Sequence, residues 1–375
     1  MAGIYVHIPF CRRRCHYCDF YKTTEVTRLS FFKEALVVEA ELQSDFLKGE
    51  RVKTVYFGGG TPSLLGAEDV AFLMGTLRRF FKLDPSAEVS LEVNPDDVDS
   101  GVAESWARAG VNRLSIGIQS FRDSHLRLMN RRHTARQAFQ AVDYARGAGF
   151  TDISIDLIYS IPGMTLPEWE SNLDTALSLP VNHISAYHLT YHEGTPFFEC
   201  LRKGTLTETS EEESLSQFDL LMKKTSEAGF EHYEISNFAK NGAYSRHNCG
   251  YWFGEKYLGL GPSAHSYNGL SRQWNLADLD LYLEALKARK LPFDEEVLSE
   301  KERLNDYLIT RLRTRWGISL AEIRRVYGDE EAGGVLRSAL PYLHDGFLEQ
   351  EGDVLRLTPA GILISDRILL ELIRE

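Results

Sequence analysis

Apolar and polar positions along the first 230 residues follow two rhythms. Short, densely apolar runs predict strands at Ile4–Ile8, Thr54–Phe57, Val89–Val93, Arg113–Ile118, Asp152–Ile158 and His183–Leu189. Between them, stretches with a three-to-four-residue period predict helices at Phe31–Lys48, Ala67–Phe81, Val102–Ala109, Thr134–Gly147, Pro167–Leu179 and Glu211–Ala228. Phe31, Ala35, Val38 and Leu42 fall on one face of the first helix. Pro167 suits the opening of its helix, and Gly229 the close of the last. Strand and helix alternate six times, which predicts a parallel sheet with right-handed crossovers. Six units fall short of a closed eight-fold barrel. The expected fold class is therefore α/β, a partial (β/α)6 TIM-like barrel, with an open doubly wound sheet as the alternative. In either, ligands gather at the carboxyl ends of the strands.

Beyond residue 230 the rhythm changes. Tyr233–Phe238 reads as one more strand, and residues 241–276, rich in Gly, Asn, Ser and Tyr, as an ordered loop region. Helical stretches follow near residues 277–289, 299–315, 319–327 and 330–344. Gly346–Leu357 predicts a hairpin turning at Glu351-Gly352-Asp353, and Thr358-Pro359 the opening of a last helix. This order predicts a smaller, mostly helical, winged-helix-like C-terminal domain. The expected organisation is a core barrel over residues 1–230, a connecting region over 231–291 and the C-terminal domain over 292–375. A winged helix can bind DNA, and Arg311, Arg313, Arg315, Arg324 and Arg325 lie there. Acidic neighbours dilute them, which favours a solvated helix face.

Composition narrows the classes. A chain of 375 residues, 43% hydrophobic and 26% charged, has the make-up of a globular protein with a sizeable core. A net charge of −12 argues against a generic grip on nucleic acid. No apolar run reaches the ~18 residues of a membrane span. The segment Met1–Phe10, broken by His7 and Pro9, lacks a basic leader, so a cytoplasmic location is expected. There, five cysteines are thiols, metal ligands or catalytic groups rather than disulfides.

Three of them lie within eight residues, in Cys11-Arg12-Arg13-Arg14-Cys15-His16-Tyr17-Cys18, just after the first strand. Thiolates spaced C-x3-C-x2-C can wrap one iron–sulfur cluster. Three ligands for four irons leave one iron open to a small chelator carrying an amine and a carboxylate. Zinc is the rival, with His16 as a fourth ligand, although tetrahedral closure within so tight a loop is awkward. The three arginines either offset the charge of a cluster or are simply solvated. Gly58-Gly59-Gly60-Thr61-Pro62 follows the second strand, where consecutive glycines let a ligand approach the backbone. Glu92, Gln119 and Asp156 stand at or near strand ends. A carboxylate flanked there by apolar residues needs a partner, whether a ribose hydroxyl, an ammonium group or an arginine such as Arg113 or Arg131.

The cysteine spacing resembles that of the radical S-adenosylmethionine (SAM) superfamily, and the glycine run looks like the motif that holds the amino group of SAM. Within that superfamily the whole chain resembles the radical SAM heme chaperone HemW family, a relative of oxygen-independent coproporphyrinogen III oxidase. The shared landmarks are Tyr5-Val6-His7-Ile8-Pro9-Phe10-Cys11, Gly58–Pro62, Glu92, Gly117-Ile118-Gln119-Ser120-Phe121, Asn130-Arg131 and Asp156-Leu157-Ile158-Tyr159. The resemblance implies a [4Fe-4S] cluster on Cys11, Cys15 and Cys18. It implies a SAM site at Tyr5, Tyr17, Gly59, Gly60, Thr61, Glu92, Gln119, Arg131 and Asp156. Three features favour the chaperone branch. Phe20 stands where the oxidase has a fourth cysteine, the chain starts four residues before Tyr5, and His247-Asn248-Cys249-Gly250-Tyr251-Trp252 matches the HNxxYW motif.

From that resemblance His247 is the expected heme ligand; a neutral imidazole suits heme iron, and Tyr251 and Trp252 offer faces for a porphyrin. From chemistry alone, the favoured reading is a core histidine bonded to a backbone carbonyl, with Tyr251 and Trp252 filling the barrel mouth. Cys249 is assigned no role, His265 is a secondary ligand candidate, Cys200 is inert, and His183, His188 and His192 read as ordinary strand or loop residues. Three functions compete. The first is a heme chaperone with cluster, SAM and heme, whose partners are recipient hemoproteins and, transiently, a membrane surface. The second is a radical SAM oxidase that decarboxylates coproporphyrinogen III. The third is a zinc-bound structural or nucleic-acid-binding protein.

Overall fold

The computed structural model describes residues 2–374. Six strands come first: β1 (Ala2–Ile8), β2 (Val52–Gly59), β3 (Leu83–Val93), β4 (Arg113–Gln119), β5 (Asp152–Tyr159) and β6 (His183–His188). They lie side by side in chain order, all parallel, with helices between them. The expected α/β partial barrel is therefore the observed core. Ile4, Val55, Leu91, Leu114, Ile155 and Ile184 are fully buried, in one continuous apolar core with residues of the surrounding helices. Their neighbours in sequence alternate to polar side chains. In register across the strands stand Tyr5 with Tyr56, Tyr56 with Ser90, Glu92 with Ser115, and Asp156 with Ser185. Parallel strands covered on both faces normally read as unbroken apolar runs. Here one face is polar, and that face lines the barrel interior.

Capping boxes fix the openings of four helices, with Thr134, Thr165, Ser210 and Ser299 each reciprocating with the residue three places on. The first long helix, Leu29–Leu42, buries Phe32, Ala35, Leu36, Glu39 and Ala40, whereas Phe31 is exposed. The expected apolar face is thus off by one position. The reason is Glu39, a buried acid that an apolar pattern excludes. Its carboxylate accepts from the Gly261 N–H at 2.8 Å and the Tyr282 hydroxyl at 2.6 Å.

Residues 241–276 are not a loop region. They hold the helix Arg246–Trp252 and strands β9 (Lys256–Leu260), β10 (His265–Tyr267) and β11 (Ser271–Asn275). The expected single strand at Tyr233–Phe238 is a hairpin of β7 (Glu231–Glu234) and β8 (Asn237–Ala239). Together with β12 (Phe293–Val297) these extend the sheet to twelve strands in the order β12-β11-β10-β9-β1-β2-β3-β4-β5-β6-β8-β7. β9 joins parallel to β1, while β8 closes antiparallel on β6.

The C-terminal part has its own apolar cluster, from Leu304 to Leu372. Helix, strand β13 (Ile318–Ser319), two helices and the hairpin β14 (Leu348–Glu351) and β15 (Val354–Leu357) follow in winged-helix order. Trp316 anchors this part to the barrel, with its ring 4.8 Å from Phe253 and 5.6 Å from Tyr244. Each arginine of the suspected basic cluster meets a carboxylate: Arg311 and Arg325 meet Glu322, Arg313 meets Asp366, Arg315 meets Glu231 and Arg324 meets Asp329. That pairing interleaves the cluster with acids. Among the described residues, no helix is long and apolar enough to cross a membrane.

Candidate functional site

At the carboxyl ends of β1–β6 opens a cavity of about 580 Å³. Cys11, Cys15 and Cys18 line it from the loop after β1, together with Tyr17. Gly59, Gly60 and Thr61 enter from the end of β2, Glu92 from β3, Gln119 from β4 and Asp156 from β5. Arg131 completes the wall.

Donors aim at the sulfurs. The Thr61 hydroxyl donates to Cys11 Sγ at 3.4 Å, and Arg131 Nη1 to Cys15 Sγ at 3.4 Å. Lys22 Nζ holds the loop by donating to the carbonyls of Cys18 at 2.6 Å and Phe20 at 3.0 Å. Burial pushes the Cys11 and Cys18 thiols up from their ordinary value, so holding both as thiolates requires a nearby positive centre such as a metal. Soft sulfur donors with hydrogen bonds directed at them fit an iron–sulfur cluster. His16, the candidate fourth zinc ligand, instead has Nδ1 on the Leu128 carbonyl at 2.9 Å. Arg12, Arg13 and Arg14 are exposed.

The glycines act as a cradle. A Cβ on Gly60 would lie 2.8 Å from the carbonyl oxygens of Ile8 and Phe10, and Gly59, at φ 106°, would press one into the His7 ring. Only glycine keeps this surface open to a ligand. Gln119 sits in the left-handed region at φ 66°, a strained conformation at a strand end beside the cavity.

Glu92 accepts from the Tyr56 hydroxyl at 2.8 Å and the Gly59 N–H at 3.1 Å, and Asp156 from the Ser115 hydroxyl at 3.1 Å. Burial pushes Glu92 up to about 7 and Asp156 to about 6. The arginine pairing considered for these two acids does not form. Arg113 pairs with Asp152, and Arg131 Nη2 donates to Asn94 Oδ1 and the Gly117 carbonyl, each at 2.7 Å. Two partly compensated carboxylates thus face the same open space.

Two expected site residues lie elsewhere. Tyr5 is one layer below the cavity; its hydroxyl donates to His7 Nδ1 at 3.0 Å and its ring stacks on Tyr56. His247 is deeper still, stacked on Tyr56 at 5.1 Å. Its Nδ1 meets the Thr54 hydroxyl and its Nε2 the Tyr251 hydroxyl, both at 2.8 Å. Both ring nitrogens are thus engaged by hydroxyl groups of the protein. The Glu88 carboxylate fixes the motif from below, accepting the backbone N–H of Arg246 and of His247 at 3.0 Å. His265 is exposed, its ring parallel to Trp274. Cys249 is buried and Cys200 half-buried.

Sequence reasoning missed Asn94, Ser115, Tyr187 and His188 on the cavity wall. Period-two alternation within β4 and β6 was the signal that could have found Ser115 and Tyr187.

A sheet of this topology with three cysteines after its first strand defines a radical SAM protein, and the sequence matches the Radical SAM superfamily over residues 5–176 and the HemN C-terminal domain over residues 298–364. The chain is 36% identical to "Heme chaperone HemW" of Mycobacterium tuberculosis across 98% of its own length and 93% of that relative. Likeness to the Bacillus subtilis protein of the same name is 34%, covering 98% of each chain. The chain belongs to the HemW family. A mitochondrial relative from Danio rerio, "Radical S-adenosyl methionine domain-containing protein 1", is 32% identical across 100% of this chain and 87% of its own. Among solved structures, coproporphyrinogen III oxidase (HemN) from Escherichia coli superposes with a TM-score of 0.86 at 24% identity, covering 99% of this chain and 89% of the oxidase, a likeness of fold.

Proposed function

We propose that the protein is a heme chaperone of the cytoplasm. In this reading it carries a [4Fe-4S] cluster on Cys11, Cys15 and Cys18, binds SAM in the adjoining cavity, takes up heme and passes it to recipient hemoproteins. The observation that carries the reading is the cavity itself: three sulfur side chains, a glycine cradle and two carboxylates facing one space. The name borne by its relatives supports the heme part.

A bound cluster would supply redox-active iron with one open coordination position. Thr61 and Arg131 steady the sulfurs through the hydrogen bonds described above. Gly59 and Gly60 leave room for the amino group of a ligand against the backbone. Glu92 and Asp156, pushed up by burial, gain most from a ligand bearing positive charge, as the ammonium and sulfonium of SAM do. Phe20, 64% exposed, brings no fourth sulfur to the loop, which counts against the oxidase reading.

Anaerobic reconstitution followed by hemin titration and heme transfer to an apo-hemoprotein tests the proposal. Saturable heme uptake and its release to the apoprotein are expected. Reconstituted protein that binds no hemin sinks the chaperone reading, and turnover of coproporphyrinogen III to protoporphyrinogen would replace it with the oxidase one.

A further inference from the structure

The cysteine segment is a closed loop with two limbs, and different parts of the chain hold each. Its base is pinned where the Cys11 N–H donates to the Thr23 carbonyl at 2.8 Å and the Thr23 N–H to the Pro9 carbonyl at 2.7 Å. The near limb leans on the segment that follows β4. There the His16 N–H donates to the Met129 carbonyl at 3.1 Å, and Asn130 Nδ2 to the Arg14 carbonyl at 2.8 Å. The far limb, from Cys18 to Tyr21, is spanned by Lys22, one residue short of the base. Its Nζ reaches back and donates to the carbonyls of Cys18 at 2.6 Å and Phe20 at 3.0 Å.

Charge divides along the same line. Three thiolates in one loop repel one another, and burial takes away the water that would screen them. Arg131 serves the near limb, donating to Cys15 Sγ at 3.4 Å. On Cys11 and Cys18 burial acts first and raises both thiols, and Lys22 is a cation that opposes it at each. Lys22 is half-buried in the cavity wall, and its hydrogen-bond partners are carbonyl oxygens rather than carboxylates. The two acids nearest to it in sequence are turned elsewhere, Asp19 to His192 Nδ1 at 3.5 Å and Glu25 to Arg28 at 3.1 Å. Its positive charge therefore stays with the loop.

We propose that Lys22 is a positioning residue for the cluster: it holds the Cys18 limb and offsets the charge of Cys11 and Cys18, so that the reduction potential of the bound cluster depends on its ammonium. The assignment rests on the reading of Cys11, Cys15 and Cys18 as cluster ligands. One-electron reduction adds a negative charge to a site that already holds three thiolates. A fixed cation beside them stabilises the reduced state more than the oxidised one, which raises the potential. A purely mechanical clip on the two carbonyls would leave the potential where it is.

Anaerobic redox titration of the full chain, followed by electron paramagnetic resonance of the reduced cluster, tests this in wild type and in Lys22→Met, Lys22→Gln and Lys22→Arg. Iron and sulfide content and the rate of iron loss to a chelator are measured alongside. Lys22→Met and Lys22→Gln should each lose about ten-fold in the equilibrium constant for one-electron reduction, a potential lower by about 59 mV. Lys22→Arg keeps the charge and should stay within about two-fold of wild type. Lys22→Met, which loses the donors as well, should release iron about three-fold faster, as for loss of a hydrogen bond. If Lys22→Met holds no cluster, Lys22→Gln, which keeps an N–H donor, carries the charge test. Unchanged potentials in the neutral variants, or an equal drop in Lys22→Arg, overturn the proposal. A wild-type chain that takes up no iron and sulfide would instead bring down the cluster reading on which it stands.

Discussion

The cysteine loop and the HNxxYW helix are the two most distinctive stretches of this sequence, and the structure treats them in opposite ways. Around Cys11, Cys15 and Cys18, the neighbouring donors point at sulfurs that themselves border open space. Around His247 every polar atom of the ring is already engaged by protein, and the helix start is tied to Glu88. Both segments are rich in potential metal ligands, yet only the first leaves its ligands unspent. A buried polar group with all its partners in place stabilises architecture; one bordering a cavity with bonds unmade is poised for something that arrives.

The contrast is sharpest for loss of a cysteine. Cys15→Ala should abolish nearly all bound iron and sulfide after anaerobic reconstitution, while the melting temperature of the metal-free protein moves by no more than about 2 °C, as for a change outside the core. A variant that fails to fold would erase the distinction between the two regions. His247→Ala should behave in reverse. It strands the Thr54 and Tyr251 hydroxyls beside a void, at a cost of about 2–5 kcal/mol in urea denaturation, with cluster content intact. Undiminished stability would remove His247 from the architecture.

Glu39 extends the comparison to a third place, another fully partnered buried group. Burial pushes it from its ordinary value of 4.5 up to about 7. Below pH 4.5 the acid is protonated whether folded or not and contributes nothing. As pH climbs from 4.5 toward 7, the unfolded chain gives up its proton first, so stability falls, by up to about 3 kcal/mol, and then levels off. Urea midpoints of the metal-free protein at several pH values should show this slope in wild type and a flatter one in Glu39→Gln; equal slopes would deny that Glu39 is the source. The smallest effect is expected at Arg13. Although it borders the first cavity, it is exposed, and Arg13→Ala should change stability by less than about 0.5 kcal/mol.

How much of this was readable beforehand varied with the physics of each segment. The six parallel strands were legible because their buried apolar residues recur at every second position, and most of the first cavity followed because its residues sit at strand ends or in turns that cysteines and glycines mark. The extension of the sheet past residue 241 was hidden. Ser271–Asn275 is short and polar, and Arg246–Trp252 is too brief to display a helical period. Phe31 misled because Glu39, an acid, occupies the buried face. Nothing local in β6 announces that Ile362 and Leu363, about 175 positions later, line the same cavity as His188. For His247 the motif marks the residue but not its surroundings. Its actual partners, Thr54 and Tyr251, come together only through the tertiary fold.

The ring of Trp316, wedged among Tyr233, Tyr244 and Phe253, gives the molecule a built-in optical gauge of its own seam. Water reaching that indole when the C-terminal part lifts would redden its emission, whereas Trp106 and Trp169, buried where their helices pack on the sheet, would keep a steady blue background. Undocking can thus be followed as a change in light, with no label attached.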